Sequence, residues 1–204
     1  TRESLVREQP LVNFRHEVLV EAVTKTAASE AQPLAWSTSS EVNAALGATL
    51  RPCELRAWSQ DDERDGLPDK LEFLLRVPLD LAAGERLLSI SVMLGVGVEF
   101  ATKFRMSLDG ALHLQHSSPL PGSRWRQTAD LQLRSRDPQA APDMGVRSAC
   151  QGATSALQEP LGADGGPIPI EAILERYETA RCNDTVVLAP SPPLAPSPLP
   201  PPSP

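Results

Sequence analysis

Six runs of alternating apolar and polar residues follow one another along this chain, and each is cut off by Asp, Gly or Pro. They occupy residues 10–22 (PLVNFRHEVLVEA), 50–58 (LRPCELRAW), 70–79 (KLEFLLRVPL), 86–100 (RLLSISVMLGVGVEF), 104–120 (FRMSLDGALHLQHSSPL) and 129–136 (ADLQLRSR). A period of two puts every second side chain on one face, so each run reads as a half-buried strand. In the first, Val12, Phe14, Val18 and Val20 make the apolar face. No ten-residue amphipathic helix separates one run from the next. The predicted fold is therefore mainly β, an antiparallel β-sandwich-like domain or open barrel over residues 8–137.

The connections supply the rest of the fold. Asp109-Gly110 is the residue pair of a tight two-residue hairpin turn and is expected to split the fifth run. A polar stretch over 24–32 leads into PLAWSTSSEVNAAL, where Trp36 reads as a core or rim anchor and residues 37–40 as a turn or cap. Residues 137–167 turn to Ala, Gly, Pro, Asp and Ser, which predicts a long loop or disorder. In PIEAILERYETAR (169–181), Ile170, Ile173, Leu174 and Tyr177 recur at helical spacing, predicting one short C-terminal helix. Residues 189–204 hold nine of the chain's 21 prolines and read as a disordered polyproline II tail. Such a tail can dock an SH3 or WW module, but a spacer is the favoured reading. The expected organisation is a β-rich domain over 1–188, incomplete at its C-terminal side, followed by the tail 189–204.

Composition excludes several functions. A 41% hydrophobic content over 204 residues is enough for one core. The net charge of −7 argues against nucleic acid, because phosphate binding needs clustered Lys and Arg. Arg124, Arg126, Arg134 and Arg136 alternate with Gln, Leu and Asp as a solvated strand face would. The most apolar stretch, 87–98, reaches about half the length that spans a bilayer and is interrupted by Ser89, Ser91, Gly95 and Gly97. No charged segment followed by an apolar one succeeds Thr1, so no signal peptide is read. Cys53, Cys150 and Cys182 form no CxxC pair; one bridge among them stays open, and Cys53 reads as a buried free thiol.

Nothing points to an enzyme. The chain contains three histidines and no GxSxG, HExxH, P-loop or GxGxxG. His113 and His116 fall on opposite faces of a strand, which is the wrong placement for a shared metal.

One loop does carry a ligand pattern. Asp61, Glu63, Asp65, Gly66 and Glu72 occupy the first, third, fifth, sixth and twelfth places of a calcium-binding loop; Asp69 is at the ninth, and Leu67 supplies a carbonyl at the seventh. A hard cation takes about six to eight oxygens, and alternate residues of a tight loop aim theirs inward. Ca2+ would act structurally, neutralising clustered carboxylates at a turn between strands. The competing reading is a solvated acidic loop, which Glu63 in place of Asp or Asn and the stiff Pro68 favour. A second modification signal is the sequon Asn183-Asp184-Thr185, which predicts glycosylation of Asn183.

Several short segments occur in a telling order. They are Glu8-Gln9-Pro10 with Phe14, His16 and Val18-Leu19; Leu34-Ala35-Trp36-Ser37-Thr38; and the acidic stretch 61–69 with Leu71 and Phe73. Beyond these come Val77-Pro78-Leu79, Leu114-Gln115 with Ser117-Ser118 and Pro119, Pro121-Gly122-Ser123, and Asp130-Leu131 with Leu133. A weaker continuation runs through Ile173-Leu174, Tyr177 and Arg181 to the sequon. In this order the chain resembles the loop between the two membrane helices of the transmembrane protein 231 family. The resemblance implies a two-pass membrane protein whose loop lies outside the cytoplasm. It also implies membership of the tectonic-like, Meckel syndrome-associated complex of the ciliary transition zone, which forms a diffusion barrier and supports cilium assembly and Hedgehog-type signalling. The membrane helix that precedes the loop in that family, and the strands and second helix that follow it, have no counterpart here. Both absences are read as truncation or an incomplete gene model. The alternative function is a secreted calcium-binding β-module that binds carbohydrate or protein.

Overall fold

The computed structural model describes residues 9–27, 30–100, 106–118, 125–135, 147–148, 162, 166, 168–179 and 184–190. In chain order the elements are β1 (Leu11–Lys25), β2 (Gln32–Ser37), α1 (Ser40–Leu46), β3 (Glu54–Gln60), β4 (Lys70–Arg76), β5 (Arg86–Phe100), β6 (Met106–Ser117), β7 (Ala129–Ser135), β8 (Arg147–Ser148), α2 (Ile170–Thr179) and β9 (Asp184–Pro190). A short 3-10 turn, Gly47–Thr49, follows α1.

The centre is a five-stranded sheet in the order β2-β1-β5-β6-β8. All its pairings are antiparallel except β6 with β8, which is parallel and two residues long. Two ribbons, β3-β4 and β7-β9, complete the β structure. The mainly β, antiparallel reading with a short C-terminal helix is the observed architecture.

The long strands β1 and β5 are apolar on both faces, and each face has its own cover. Val18, Val20, Ala22, Ile90, Val92, Leu94, Val96 and Leu112 face one way, where Leu55, Phe73, Leu75 and Val77 of the β3-β4 region and Leu131 of β7 pack on them. Leu19 and Met93 face the other way, against Val42 of α1 and Ile168, Ile170 and Ile173 at α2. The second face explains why 86–100 reads as nearly continuous apolar sequence: a strand buried on both sides needs no polar alternation.

Two elements escape the strand pattern. β2 begins at Gln32 and includes Pro33, which an edge strand tolerates because one side of it donates no ladder bond. α1 starts where the sequence indicates a cap: the Ser39 hydroxyl accepts the Val42 N–H.

The Asp109-Gly110 turn is not formed. Both residues lie inside β6, paired with Gly97 and Val96 in an unbroken register from Phe100↔Met106 to Ser89↔Ser117. A long facing strand supplies ladder partners through that point, and continuous pairing outweighs a local turn preference. Within 137–167, Arg147 and Ser148 form β8, and the proline-rich tail contributes Ala189 and Pro190 to β9. Apart from Gly162 and Gly166, the rest of both segments lies outside the described residues.

One irregularity shapes the β1-β5 seam. Arg15, His16 and Glu17 stand between the pairs Phe14↔Val96 and Val18↔Leu94, facing the single residue Gly95. His16 takes φ 60° to make this bulge. The bulge lays Glu17 over Gly95 and Arg15 over Gly97, so closely that a Cβ at Gly95 would sit 2.8 Å from Glu17 Oε2 and 3.0 Å from Glu17 Cβ.

Candidate functional site

The acidic loop of the sequence pattern joins β3 to β4 and folds on its own carboxylates. Asp61 Oδ1 and Oδ2 accept the N–H groups of Asp65 and Gly66 at 3.2 and 2.9 Å. Asp65 Oδ1 accepts the Leu67 N–H at 2.8 Å. Asp69 Oδ2 accepts those of Asp62 and Glu63 at 2.6 and 3.1 Å, and the Glu63 bond is the main reason its acidity is raised. Lys70 Nζ pairs with Asp62, and Gly66 supplies the turn at φ 88°. The structure thus brings Asp61, Glu63, Asp65, Leu67 and Asp69 into one loop, while Glu72 stands in β4 opposite Trp58. Among the described residues, no three His, Cys, Asp or Glu side chains converge as a metal-holding group. The oxygens that a cation would use are turned onto backbone donors.

Two polar clusters border the main sheet, and neither is legible in the local sequence. Glu85, just before β5, is buried; its carboxylate accepts the Asp80 N–H, the Thr24 hydroxyl and Arg51 Nη1, each at 2.7 Å. These bonds, led by that of Asp80, hold its pKa at about 2 despite the cost of burial. The second cluster lies under α2. Ser91 Oγ is 2.6 Å from His113 Nε2, Glu21 stands opposite Ser91 in register, and Glu21 Oε1 accepts the Ile170 N–H at 3.1 Å. Burial lowers the pKa of His113, opposed by the charge of Glu171; it raises that of Glu21, opposed by the Ile170 bond. Ser91 and His113 have the reach of a nucleophile and its base. The carboxylate beside them is engaged in seating α2.

His116 points away from His113, as the strand period predicts, and its ring stacks on Trp125 at 5.0 Å. Cys53 is a free, half-buried thiol whose pKa burial raises to about 11. Cys150, Cys182 and Asn183 lie outside the described residues.

The β3-β4 ribbon turns Leu55, Phe73 and Leu75 to the core and leaves Trp58 and Leu74 on its outer face, 43% and 36% exposed. Arg56 and Arg76, both bound to Glu54, flank them. Neither strand has a second ladder partner among the described residues. The face thus has an apolar centre and a charged rim. No helix among the described residues is long and apolar enough to cross a membrane.

No solved structure matches the chain. The chain is 31% identical over 137 residues to Transmembrane protein 231 of Xenopus tropicalis, covering 67% of this chain and 42% of that protein. It is 30% identical over 146 residues to the Homo sapiens protein of the same name (72% and 45%) and 32% identical over 135 residues to that of Gallus gallus (66% and 41%). It therefore spans less than half the length of the relatives it matches. The family model described as Transmembrane protein 231 covers residues 1–180, that is, the sheet, its two apolar faces and α2, and the chain belongs to that family.

Proposed function

We propose that this chain is the extracytoplasmic, non-catalytic β-rich part of a membrane protein of the ciliary transition zone. It serves as an assembly element of the tectonic-like, Meckel syndrome-associated complex and thereby supports the diffusion barrier, cilium assembly and ciliary signalling. The observation that carries this reading is the family match over residues 1–180. The exposed face and edges of the β3-β4 ribbon are compatible with it, since an open strand edge takes up another chain by extending the sheet. Proximity labelling from the full-length protein in ciliated cells should recover tectonic-type and Meckel-complex proteins. A labelled set without them rejects the placement.

Two finer assignments belong to the same proposal. Asn183 carries a glycan, which the extracytoplasmic side would permit. The 61–72 loop takes a structural calcium ion, which requires Asp61, Asp65 and Asp69 to exchange backbone donors for the cation.

A further inference from the structure

The β7-β9 ribbon ends in a way that aims the chain beyond it. Its ladder runs antiparallel from Ser135↔Asp184 to Ala129↔Pro190, so past Pro190 the chain heads back alongside residues 128, 127, 126 and 125. Those four residues precede β7, lie in no strand and are all exposed. Ladder pairing has a reason to stop at Pro190: Pro192 and Pro193 come next, and a proline has no N–H to donate.

Trp125 stands in that path. Its ring stacks on that of His116 in β6, with centroids 5.0 Å and planes 16° apart, and the side chain is still 36% exposed. Because β6 is paired to β5 along its whole length, His116 holds the indole on a firm support. Among the described residues Trp125 packs into neither apolar core. It is an aromatic platform without an apolar cover.

The sequence of the tail suits such a platform. A polyproline II helix has three residues per turn, so positions 190, 193, 196, 199 and 202 share one edge. Pro190, Pro193, Pro196, Leu199 and Pro202 occupy them, and the edge is apolar throughout. Ser191, Ser197 and Ser203 all fall on a different edge. At a rise of about 3.1 Å per residue, Pro193 lies about 9 Å and Pro196 about 19 Å beyond Pro190. Ala129 and Trp125 are at most about 13 Å apart along an extended chain, and the two prolines fall on either side of that distance.

We propose that the proline-rich tail docks on its own domain, laying the edge that carries Pro193 and Pro196 over Trp125 and leaving the serine edge to water. Proline rings on an aromatic surface are the contact by which polyproline II segments are recognised, and the stiff helix loses little entropy on docking. Weak contact suffices here, because a segment tethered at the end of the ladder is presented at an effective concentration on the order of millimolar. A docked tail is withheld from any SH3 or WW module. The tail lies beyond the residues matched by the family model, and the inference does not depend on residence in the cilium.

Tryptophan emission of the full chain, compared with that of a chain ending at Pro190, tests the proposal. The shortened chain keeps all of β9. Its emission should be red-shifted and more readily quenched by acrylamide. That difference should vanish when both chains carry Trp125→Phe and persist when both carry Trp58→Phe. In the full chain, Pro193→Ser/Pro196→Ser should reproduce the shortened chain's emission, whereas Ser197→Ala/Ser203→Ala should leave the parent's emission unchanged. Cooperative melting would show that each variant is folded. Equal emission and quenching of the full and shortened chains, as expected of a tail that only spaces the domain or waits for a separate module, would overturn the proposal. A difference that survives Trp125→Phe, or equal effects of the proline and serine substitutions, would overturn it as well.

Discussion

Arg51 Nη1 lies 2.7 Å from both carboxylate oxygens of Glu85, joining the segment after α1 to the start of β5 across a side chain only 4% exposed. Removing one member of a buried pair strands the other. Glu85→Ala is expected to destabilise the fold by about 3 kcal/mol, the low end for a buried pair because Arg51 retains access to water. The pH dependence has a definite sign. Glu85 has its folded pKa lowered to about 2, so its contribution is complete above the ordinary carboxylate range and is lost as pH falls from there towards 2. Thermal melts across acid pH should show a slope that Glu85→Gln reduces.

Glu21 should behave in the opposite way. Burial raises its pKa, so its contribution is present at low pH and is lost as pH rises through the folded value. Glu21→Gln keeps an acceptor for the Ile170 N–H and removes the charge. The variant should melt a few degrees higher at neutral pH, since about 1 kcal/mol moves the midpoint of a chain this size about 2–4 °C, and should match the parent in acid. His113 runs the other way: its lowered pKa means that stability is lost as pH falls through the ordinary imidazole range. An acid-to-neutral pH dependence of the melt that Glu21→Gln leaves unchanged would contradict the role given to Glu21.

Gly95 and Gly97 should respond unequally to alanine. At Gly95 the new Cβ would meet Glu17 Cβ, an atom fixed to the bulge, whereas at Gly97 it would meet the movable guanidinium end of Arg15 at 3.1 Å or beyond. Gly95→Ala is expected to cost about 1–3 kcal/mol. Gly97→Ala should be near neutral, because the strand preference gained offsets a small shift of Arg15. Urea titration of the two variants would separate them, and equal losses would refute the packing described for the bulge.

Calcium titration tests the 61–72 loop. Millimolar or tighter affinity and a higher melting temperature are expected, both lost in Asp61→Ala/Asp65→Ala. Identical melting in calcium and in chelator would remove the site.

Expression through the secretory pathway should yield a glycoprotein whose mass falls on glycosidase treatment and does not fall in Asn183→Gln. A mass unaffected by the enzyme would count against both the glycan and the extracytoplasmic placement.

Strand identity was largely legible in the sequence because β1, β4, β5 and β7 write their burial as residue alternation or as apolar continuity. β2 and α1 were not, because both depend on what the main sheet offers them: Val42 gains its place only against Leu19 and Met93. The same limit applies to sites. The acidic loop could be seen because its residues are consecutive, but the direction of its carboxylates could not, since Asp61 and Asp69 turn to backbone groups that exist only once the loop has formed. Glu85 and Glu21 gave no local signal at all. Their partners Thr24, Arg51 and Ile170 are distant in the chain, and burial of a single glutamate has no periodicity to betray it. Glu21 could have been suspected only from recognising that β1 is covered on both faces.

The β7-β9 ribbon sets an order of events during synthesis. Strands β2, β1, β5 and β6 have all left the ribosome once Ser117 has emerged, so most of the main sheet can pair on the growing chain. β7 cannot find its mate then, because Ala129 pairs with Pro190 and Ser135 with Asp184. Until that later stretch is made, Leu131 must cover the core without a ladder partner from β9. Chain release short of Pro190 would therefore leave a nascent domain with a formed sheet and an unpaired β7, the kind of edge that chaperones hold and neighbouring polypeptides capture.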